Sequence, residues 1–350
     1  MPSEDTVAGV LLGTAVGDAL GLPHEGLRPE RIARRLERRG VRHQLLFGRG
    51  MLSDDTEHAA MVARALGESG GDVDGFTRAF ARQLRRWIFG LPPGVGWATL
   101  RGALRSCLGV PPSRSGVDSA GNGPAMRSAL LGVCAHNDGH LVDLVRASTR
   151  VTHTDPRAED AAVLVARLAR QFSRGEHDRE VVLEIRDDAF RERVAKAWSF
   201  TGELEAFRAE AGFERGVSGF VVHTLPAVVY CARSPDPERA LENAIRLGGD
   251  TDTVAAIVGA LLGARHGARR LPKVWVERIW DWPLSVSELQ ALASALARGT
   301  PPPRQRWVAA IPRNLAFIGL LAGHLALRAF EGSMALGSRV RRLRSGVRTR

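Results

Sequence analysis

TVAGVLLGTAVGDAL, Thr6 to Leu20, decides the fold. It reads as a helix in which Ala8, Gly9, Gly13, Ala15 and Gly17 alternate with Val and Leu. Glycine lowers helix propensity, so this many in one helix implies that the helix packs against another backbone or a ligand. Outward from it, apolar residues recur at helical spacing through about 54–67, 74–90, 126–136, 140–149, 157–173, 189–198, 220–232, 237–247, 253–266 and 286–297. No alternating strand pattern appears, and no repeat of 20–50 residues suggests a solenoid. Aromatic residues make up 6% of the chain, with Tyr230 the single tyrosine. The core is therefore built from Ala, Leu and Val, and the fold class is all-α: one compact helical domain over residues 1–298, followed by a different segment over 299–350.

Two acidic motifs stand about two hundred residues apart, each where a loop enters an amphipathic helix. They are Ser53-Asp54-Asp55-Thr56 and Gly248-Gly249-Asp250-Thr251-Asp252-Thr253. Ser, Thr and Asp cap helix N-termini, so capping accounts for either motif alone. Four carboxylates with flanking hydroxyls exceed what two caps require. If the motifs converge, their repulsion needs neutralising, and hard divalent cations with oxygen ligands do that directly. Ser53, Asp54, Asp55, Asp250, Asp252 and Thr253 offer oxygen only, which points to Mg²⁺ or Mn²⁺ rather than zinc. Capping with solvation is the alternative left open by the residues themselves.

Gly121-Asn122-Gly123 precedes a helix opened by Pro124. Glycines there let backbone N–H groups approach a phosphate, or they form a tight loop needing positive φ. Gly248-Gly249 serves as a C-cap to the helix ending near Leu247, and Gly249 is also a candidate for the pocket wall. Phe220 could stack on a base or simply begin a core run. Asp18, inside the first helix, is expected to order the loop that follows.

Six blocks in order carry a family resemblance over about residues 6–295: Gly9–Gly21 (GVLLGTAVGDALG), Ser53–Thr56, Ser119–Arg127 (SAGNGPAMR), Thr152–Pro156 (THTDP), Gly219–Pro226 (GFVVHTLP) and Gly248–Thr253 running on to Ala264. The chain resembles the ADP-ribosylglycohydrolase family, which includes the dinitrogenase reductase-activating glycohydrolases. The resemblance implies an orthogonal all-α fold with a binuclear Mg²⁺ or Mn²⁺ centre, one side formed by Ser53, Asp54 and Asp55 and the other by Asp250, Asp252 and Thr253. The first ligand is often Thr in such proteins and is Ser here. His153 is implied to contact the ribose or phosphate of the substrate, and Glu25 to match a family glutamate that closes over the metal site. The activity implied is metal-assisted cleavage of the glycosidic bond at C1″, releasing ADP-ribose from a modified protein side chain or small molecule. Asp55 would position the water and Glu25 would stabilise oxocarbenium-like charge.

Two other function classes stay in view. A non-catalytic ADP-ribose-binding or structural homologue would be expected to lose metal ligands, yet all six positions keep oxygen side chains. An HD-type phosphohydrolase is suggested only by His177-Asp178, which lies in a charged, loop-like stretch.

The net charge is +11 over 350 residues, but residues 301–350 hold ten Arg against one Glu, a net +9, so residues 1–300 carry only +2. No nucleic-acid partner is expected for the main domain. Cys107, Cys134 and Cys231 have no CxxC spacing, and the N-terminus lacks a basic n-region. A cytoplasmic location is expected, with the possibility of peripheral association at the inner membrane surface. Beyond Pro301-Pro302-Pro303, Leu315–Leu327 is too short to span a bilayer. With the terminal arginines it is expected to lie on an anionic membrane or a partner rather than on the body, so that a chain ending at residue 300 would keep hydrolysis.

Overall fold

The structure is a computed structural model that describes residues 2–304 and 308–323. Its helices are α1 (Glu4–Gly21), α2 (Pro29–Arg39), α3 (Asp54–Ser69), α4 (Val73–Ile88), α5 (Trp97–Cys107), α6 (Gly123–Met126), α7 (Ala129–Cys134), α8 (Asp138–Arg150) and α9 (Pro156–Ser173). There follow α10 (Asp188–Ser199), α11 (Leu204–Ala211), α12 (Val221–Ala232), α13 (Pro237–Arg246), α14 (Thr251–His266), α15 (Lys273–Glu277), α16 (Val286–Arg298) and α17 (Val308–Gly323). Among the described residues only isolated bridges occur in place of strands. The fold is all-α, as the periodicity indicates.

α1 is the axis of the molecule. Ser3 caps it by accepting from the Thr6 N–H at 3.0 Å, and Glu4 and Asp5 complement its positive end. Every residue from Val7 to Gly21 is buried. By length and composition α1 could cross a membrane, but 89% of its most apolar window is buried within the protein, which makes it a core helix.

The glycines explain how so much of α1 is covered. A Cβ on Gly9, Gly13, Gly17 or Gly21 would lie 2.3, 2.1, 1.9 or 2.4 Å from the carbonyl oxygen of Gly263, Gly259, Ala255 or Thr251 in α14. The seam is reciprocal, since a Cβ on Gly259 or Gly263 would meet the Gly13 or Gly9 carbonyl at 2.0 or 1.9 Å. The two backbones touch along four turns. This contact brings the N-terminus of α14 beside the C-terminus of α1, and therefore beside the loop that follows α1. α3 and α16 flank α1, while α9, α12 and α13 flank α14.

Four helices, α2, α5, α11 and α15, lie outside the sequence expectation. α2 (PERIARRLERR) shows why: it buries Ile32, Arg35 and Leu36 in an otherwise charged helix, too few apolar residues to register a period.

The segment after the triple proline departs from expectation. α17 is seated on the body: Arg313, Asn314 and Phe317 are buried, and Phe317 packs with Leu22, Leu45 and Met51. The physical reason is an ion pair between Arg313 and Asp281 that the local sequence does not announce. Leu315 and Ile318 remain exposed on the outer side. The rest of the apolar stretch and the terminal arginines lie outside the described residues.

Candidate active site

The two acidic helix starts meet at the floor of one cleft of about 490 Å³, within the usual range for a small-ligand site. Asp54, Asp250, Asp252 and Thr253 line the floor, while Asn122 and His153 form part of a wall. Ser53 and Asp55 lie directly beneath. Asp55 Oδ2 accepts from Ser53 Oγ at 3.2 Å and from Thr253 Oγ1 at 3.3 Å, so hydroxyls from the two motifs converge on one carboxylate oxygen.

Each motif is held by a different device. Ser53 caps α3, its Oγ accepting from the Asp55 N–H at 3.3 Å. Asp18 Oδ2 accepts from Ser53 N at 2.9 Å, Thr56 N at 3.3 Å and Thr56 Oγ1 at 2.5 Å. Asp18 thus orders the start of α3, 35 and 38 positions away in sequence, where the loop directly after α1 was expected. The second motif hangs on backbone. Gly248 and Gly249 have φ of 72° and 76°, the left-handed region that glycine enters without steric cost. They thread between two loops: Gly249 N donates to Leu27 O at 2.9 Å, Gly26 N to Gly249 O at 2.8 Å, and Val217 N to Gly248 O at 2.9 Å. A Cβ on Gly249 would lie 1.9 Å from the Val217 oxygen.

Burial and mutual repulsion dominate the electrostatics. Asp54, Asp55 and Asp252 are pushed well above the carboxylate range, first by burial and then by the neighbouring charges of Asp18, Glu25, Asp250 and one another, as well as Glu57 in the case of Asp54. Burial raises Asp18 to about 6. Asp18 Oδ1, Asp55 Oδ1 and Asp252 Oδ1 are buried with no hydrogen-bond partner among the described residues. Buried carboxylate oxygens without donors are costly, and a hard cation satisfies them. The oxygen-only donor set fits such an ion. No group of three or more His, Cys, Asp or Glu among the described residues is drawn into a finished cage. The fit rests on the orphaned oxygens together with the Ser53 and Thr253 hydroxyls.

The wall shows why Gly121 and Gly123 are glycines. Neither has positive φ, and each lies against the His153 ring, where a Cβ would meet Nε2 or Cε1 at 3.1 Å. α6 is a single turn of four residues, so it supplies little of the dipole that a phosphate site at a helix start draws on. Asn122 Nδ2 donates to Asp250 Oδ2 at 2.7 Å and to Thr224 Oγ1 at 3.1 Å, tying the wall to the floor.

His153 is held from behind by residues the sequence did not single out. Arg127, wholly buried, donates to Thr152 Oγ1 at 2.8 Å and to His58 Nδ1 at 3.1 Å, and the Thr152 hydroxyl meets His153 Nδ1 at 2.8 Å. Burial and the Arg127 charge lower His153 to about 3, so its ring is neutral at physiological pH. Arg127 itself is lowered to about 9 by burial. It closes the SAGNGPAMR block, and its place there was the available signal.

Glu25 stands exposed at the rim and Gly249 lines the cleft. Phe220 is not among the lining residues. Its ring lies under the Arg157 guanidinium at 5.2 Å and edge-on to His223 at 5.8 Å. Trp97, opening α5 with 77% of its surface exposed, joins the rim instead. His177 and Asp178 are exposed, away from the cleft.

The profile of the ADP-ribosylglycohydrolase family matches residues 1–306. The chain belongs to the ADP-ribosylglycohydrolase family. It is 33% identical to an uncharacterized protein of Archaeoglobus fulgidus over 79% of this chain and 92% of that one. It is 28% identical to the ADP-ribosyl-[dinitrogen reductase] glycohydrolase of Rhodospirillum rubrum over 79% and 90%. A solved structure described as an ADP-ribosylglycohydrolase-related protein complex superposes with a TM-score of 0.64 at 30% identity, covering 85% of this chain and 98% of that one. Membership makes the protein an ADP-ribosylhydrolase, and the family is generally metal-dependent.

Proposed function

We propose that the cleft hydrolyses the glycosidic bond at C1″ of ADP-ribose attached to a protein side chain or a small molecule, with two divalent cations, Mg²⁺ or Mn²⁺, held by Ser53, Asp54, Asp55, Asp250, Asp252 and Thr253. The observation that carries this reading is the convergence of two buried acidic helix starts on one floor, with Asp55 Oδ1 and Asp252 Oδ1 left without donors. When bound, the ions supply neutralising charge, orientation of the distal ribose hydroxyls and an activated water.

The chain's own residues divide the remaining work. Asp54 faces the cleft whereas Asp55 lies beneath it. The water-positioning role expected of Asp55 therefore falls to Asp54, with Asp55 fixing the Ser53 and Thr253 hydroxyls behind it. Water adds at C1″, the bond to the departing nitrogen or oxygen breaks, and that atom takes up a proton. Glu25, at the rim above Asp252, is placed to stabilise the positive charge that develops on the ribose. Asn122 holds Asp250 in position. His153, neutral and buried against Gly121 and Gly123, offers one ring nitrogen to the substrate. Trp97 presents an exposed ring at the rim of the cleft, available to the group attached to ADP-ribose.

A panel of ADP-ribosyl-arginine, ADP-ribosyl-serine and O-acetyl-ADP-ribose, each incubated with Mg²⁺ or Mn²⁺ and scored for free ADP-ribose, tests the reading. Release from at least one substrate that stops in excess chelator is expected. Release undiminished by chelator overturns the metal assignment.

A further inference from the structure

α17 lies beyond the family match, which ends at residue 306. Its contact with the body is made where the metal loop begins. Arg313 donates through Nε to Asp281 Oδ1 at 2.9 Å and through Nη2 to Asp281 Oδ2 at 2.5 Å and Leu52 O at 2.5 Å. Asp281 Oδ2 in turn accepts from Leu52 N at 2.8 Å. Both polar groups of Leu52 are therefore bound by one ion pair. The Leu52 carbonyl belongs to the peptide that continues into Ser53, whose N–H is held by Asp18.

The segment carrying Asp281 also lies along this loop. Gly50 N donates to Arg278 O at 3.0 Å and Trp280 N to Gly50 O at 2.9 Å. Arg313 Nη1 stands 3.7 Å from Glu57 Oε1, one turn into α3, and Asn314 Nδ2 donates to Gly90 O at 2.8 Å.

We infer that α17 is a brace for the metal loop: Arg313, paired with Asp281, is a positioning residue that fixes Leu52 and through it the approach of Ser53 and Asp54 to the proposed ions. The inference rests on the metal reading above. The Arg313 and Asp281 side chains are only 2% and 1% exposed. Taking both charges out of water is costly, and apolar packing of the kind Phe317 makes would hold a helix as well. What the pair adds is direction, because a guanidinium fork bound to both carboxylate oxygens leaves its outer N–H group aimed at a single carbonyl.

The test uses the full chain, Mn²⁺ alone as the probe, and calorimetric titration beside amide exchange over residues 50–56. Arg313→Met should speed exchange at Leu52 and Ser53, weaken Mn²⁺ binding by about 10–100-fold, and lower kcat more than it raises KM. Arg313→Lys, which keeps the charge but cannot make all three bonds, should fall between. Leu321→Ala, which loosens the same seat two turns beyond Arg313 and leaves the Phe317 ring over its guanidinium in place, should lower Tm and leave Mn²⁺ affinity within about threefold. If Arg313→Met lowers Tm while exchange and Mn²⁺ affinity stay at the wild-type level, Arg313 merely glues the helix and the inference is overturned. If that variant fails to fold, a lysine variant with wild-type Mn²⁺ affinity overturns it equally. A wild-type chain that binds no Mn²⁺ removes the metal reading itself.

Discussion

The first turns of α3 and α14 carry nearly the same residues and are built in opposite ways. At α3 the acidic turn is fixed by side chains: Asp18 collects three hydrogen bonds, and the Asp281–Arg313 pair grips Leu52 just before it. At α14 the acidic turn is fixed by backbone, through the left-handed Gly248-Gly249 turn and the glycine seam that lays α14 against α1. Thr251 adds one side-chain bond, donating to Gly21 O at 2.9 Å. A site held this way has one half that fails through polar substitutions and another that fails through added bulk.

The largest effect expected from that difference is on the fold. Gly17→Val would place a branched side chain where even a Cβ lies 1.9 Å from the Ala255 carbonyl. Separating α1 from α14 removes the contact on which the core is assembled, so the variant should yield no cooperatively melting protein. A normal circular-dichroism melt would show that the seam tolerates opening and that the contrast between the two helix starts is mistaken.

Next in size is removal of the carboxylates themselves. Asp55→Ala and Asp250→Ala should each lower hydrolysis by more than about 100-fold with the helical spectrum retained, because each takes away a carboxylate that either binds an ion or fixes the hydroxyls that do. Glu25→Ala should lower kcat by about 100-fold while Mn²⁺ affinity stays close to wild type, since the rim acid is assigned to the substrate. Loss of Mn²⁺ binding in that variant would move Glu25 into the metal cage.

A matched pair of variants sharpens the contrast. Asp18→Asn removes the charge and weakens the acceptor that organises the start of α3, so Mn²⁺ affinity should fall by about 10–100-fold. Thr251→Ala removes the side-chain tie at the start of α14 that does not touch a carboxylate, and should change affinity by less than about threefold. Equal losses in calorimetric titration would mean that the two helix starts depend on side chains alike.

How much of this was legible follows the same division. The α1 glycines announced a backbone contact because glycine in a helix has few other uses, and the two acid-and-hydroxyl motifs are local in sequence. Their convergence could be anticipated from those motifs and the resemblance, whereas the partners of Asp18 could not, because they lie 35 and 38 positions away rather than in the loop that follows α1. The Arg313 brace could not, because it pairs residues 32 and 261 positions from its two partners, and no periodicity marks such a pair. The triple proline before α17 suggested a separate appendage, whereas one buried guanidinium turns the helix back onto the body. Asp281 did carry a faint signal, standing between Trp280 and Trp282 ahead of Pro283. Phe220, an aromatic residue in a matching block, is a stacking candidate from the sequence; in the structure its ring lies beside Arg157 and His223. The exposed Trp97 belonged to a helix whose apolar period was too weak to register.

The smallest expected effect concerns the wall that joins the two helix starts, where His153 is fixed by neither device but by Arg127 through Thr152. Burial holds its folded pKa at about 3, below the ordinary value of 6.5. Between those two values the unfolded chain binds a proton that the folded chain does not, so stability rises with pH there. The contribution of His153 is complete above about pH 6.5 and is lost as the pH falls toward 3. The buried carboxylates raised above their ordinary range have the opposite slope, because they cost stability as the pH climbs through 4 and beyond. Only the difference between variants therefore isolates the histidine. His153→Gln keeps a polar group of similar reach against Gly121 and Gly123 and removes the titration. Its Tm should fall less steeply than the wild-type Tm between pH 6.5 and pH 5, with the two curves differing by a nearly constant amount above pH 7. Parallel curves throughout would mean that His153 is solvated when folded and that Arg127 does not hold it in the wall.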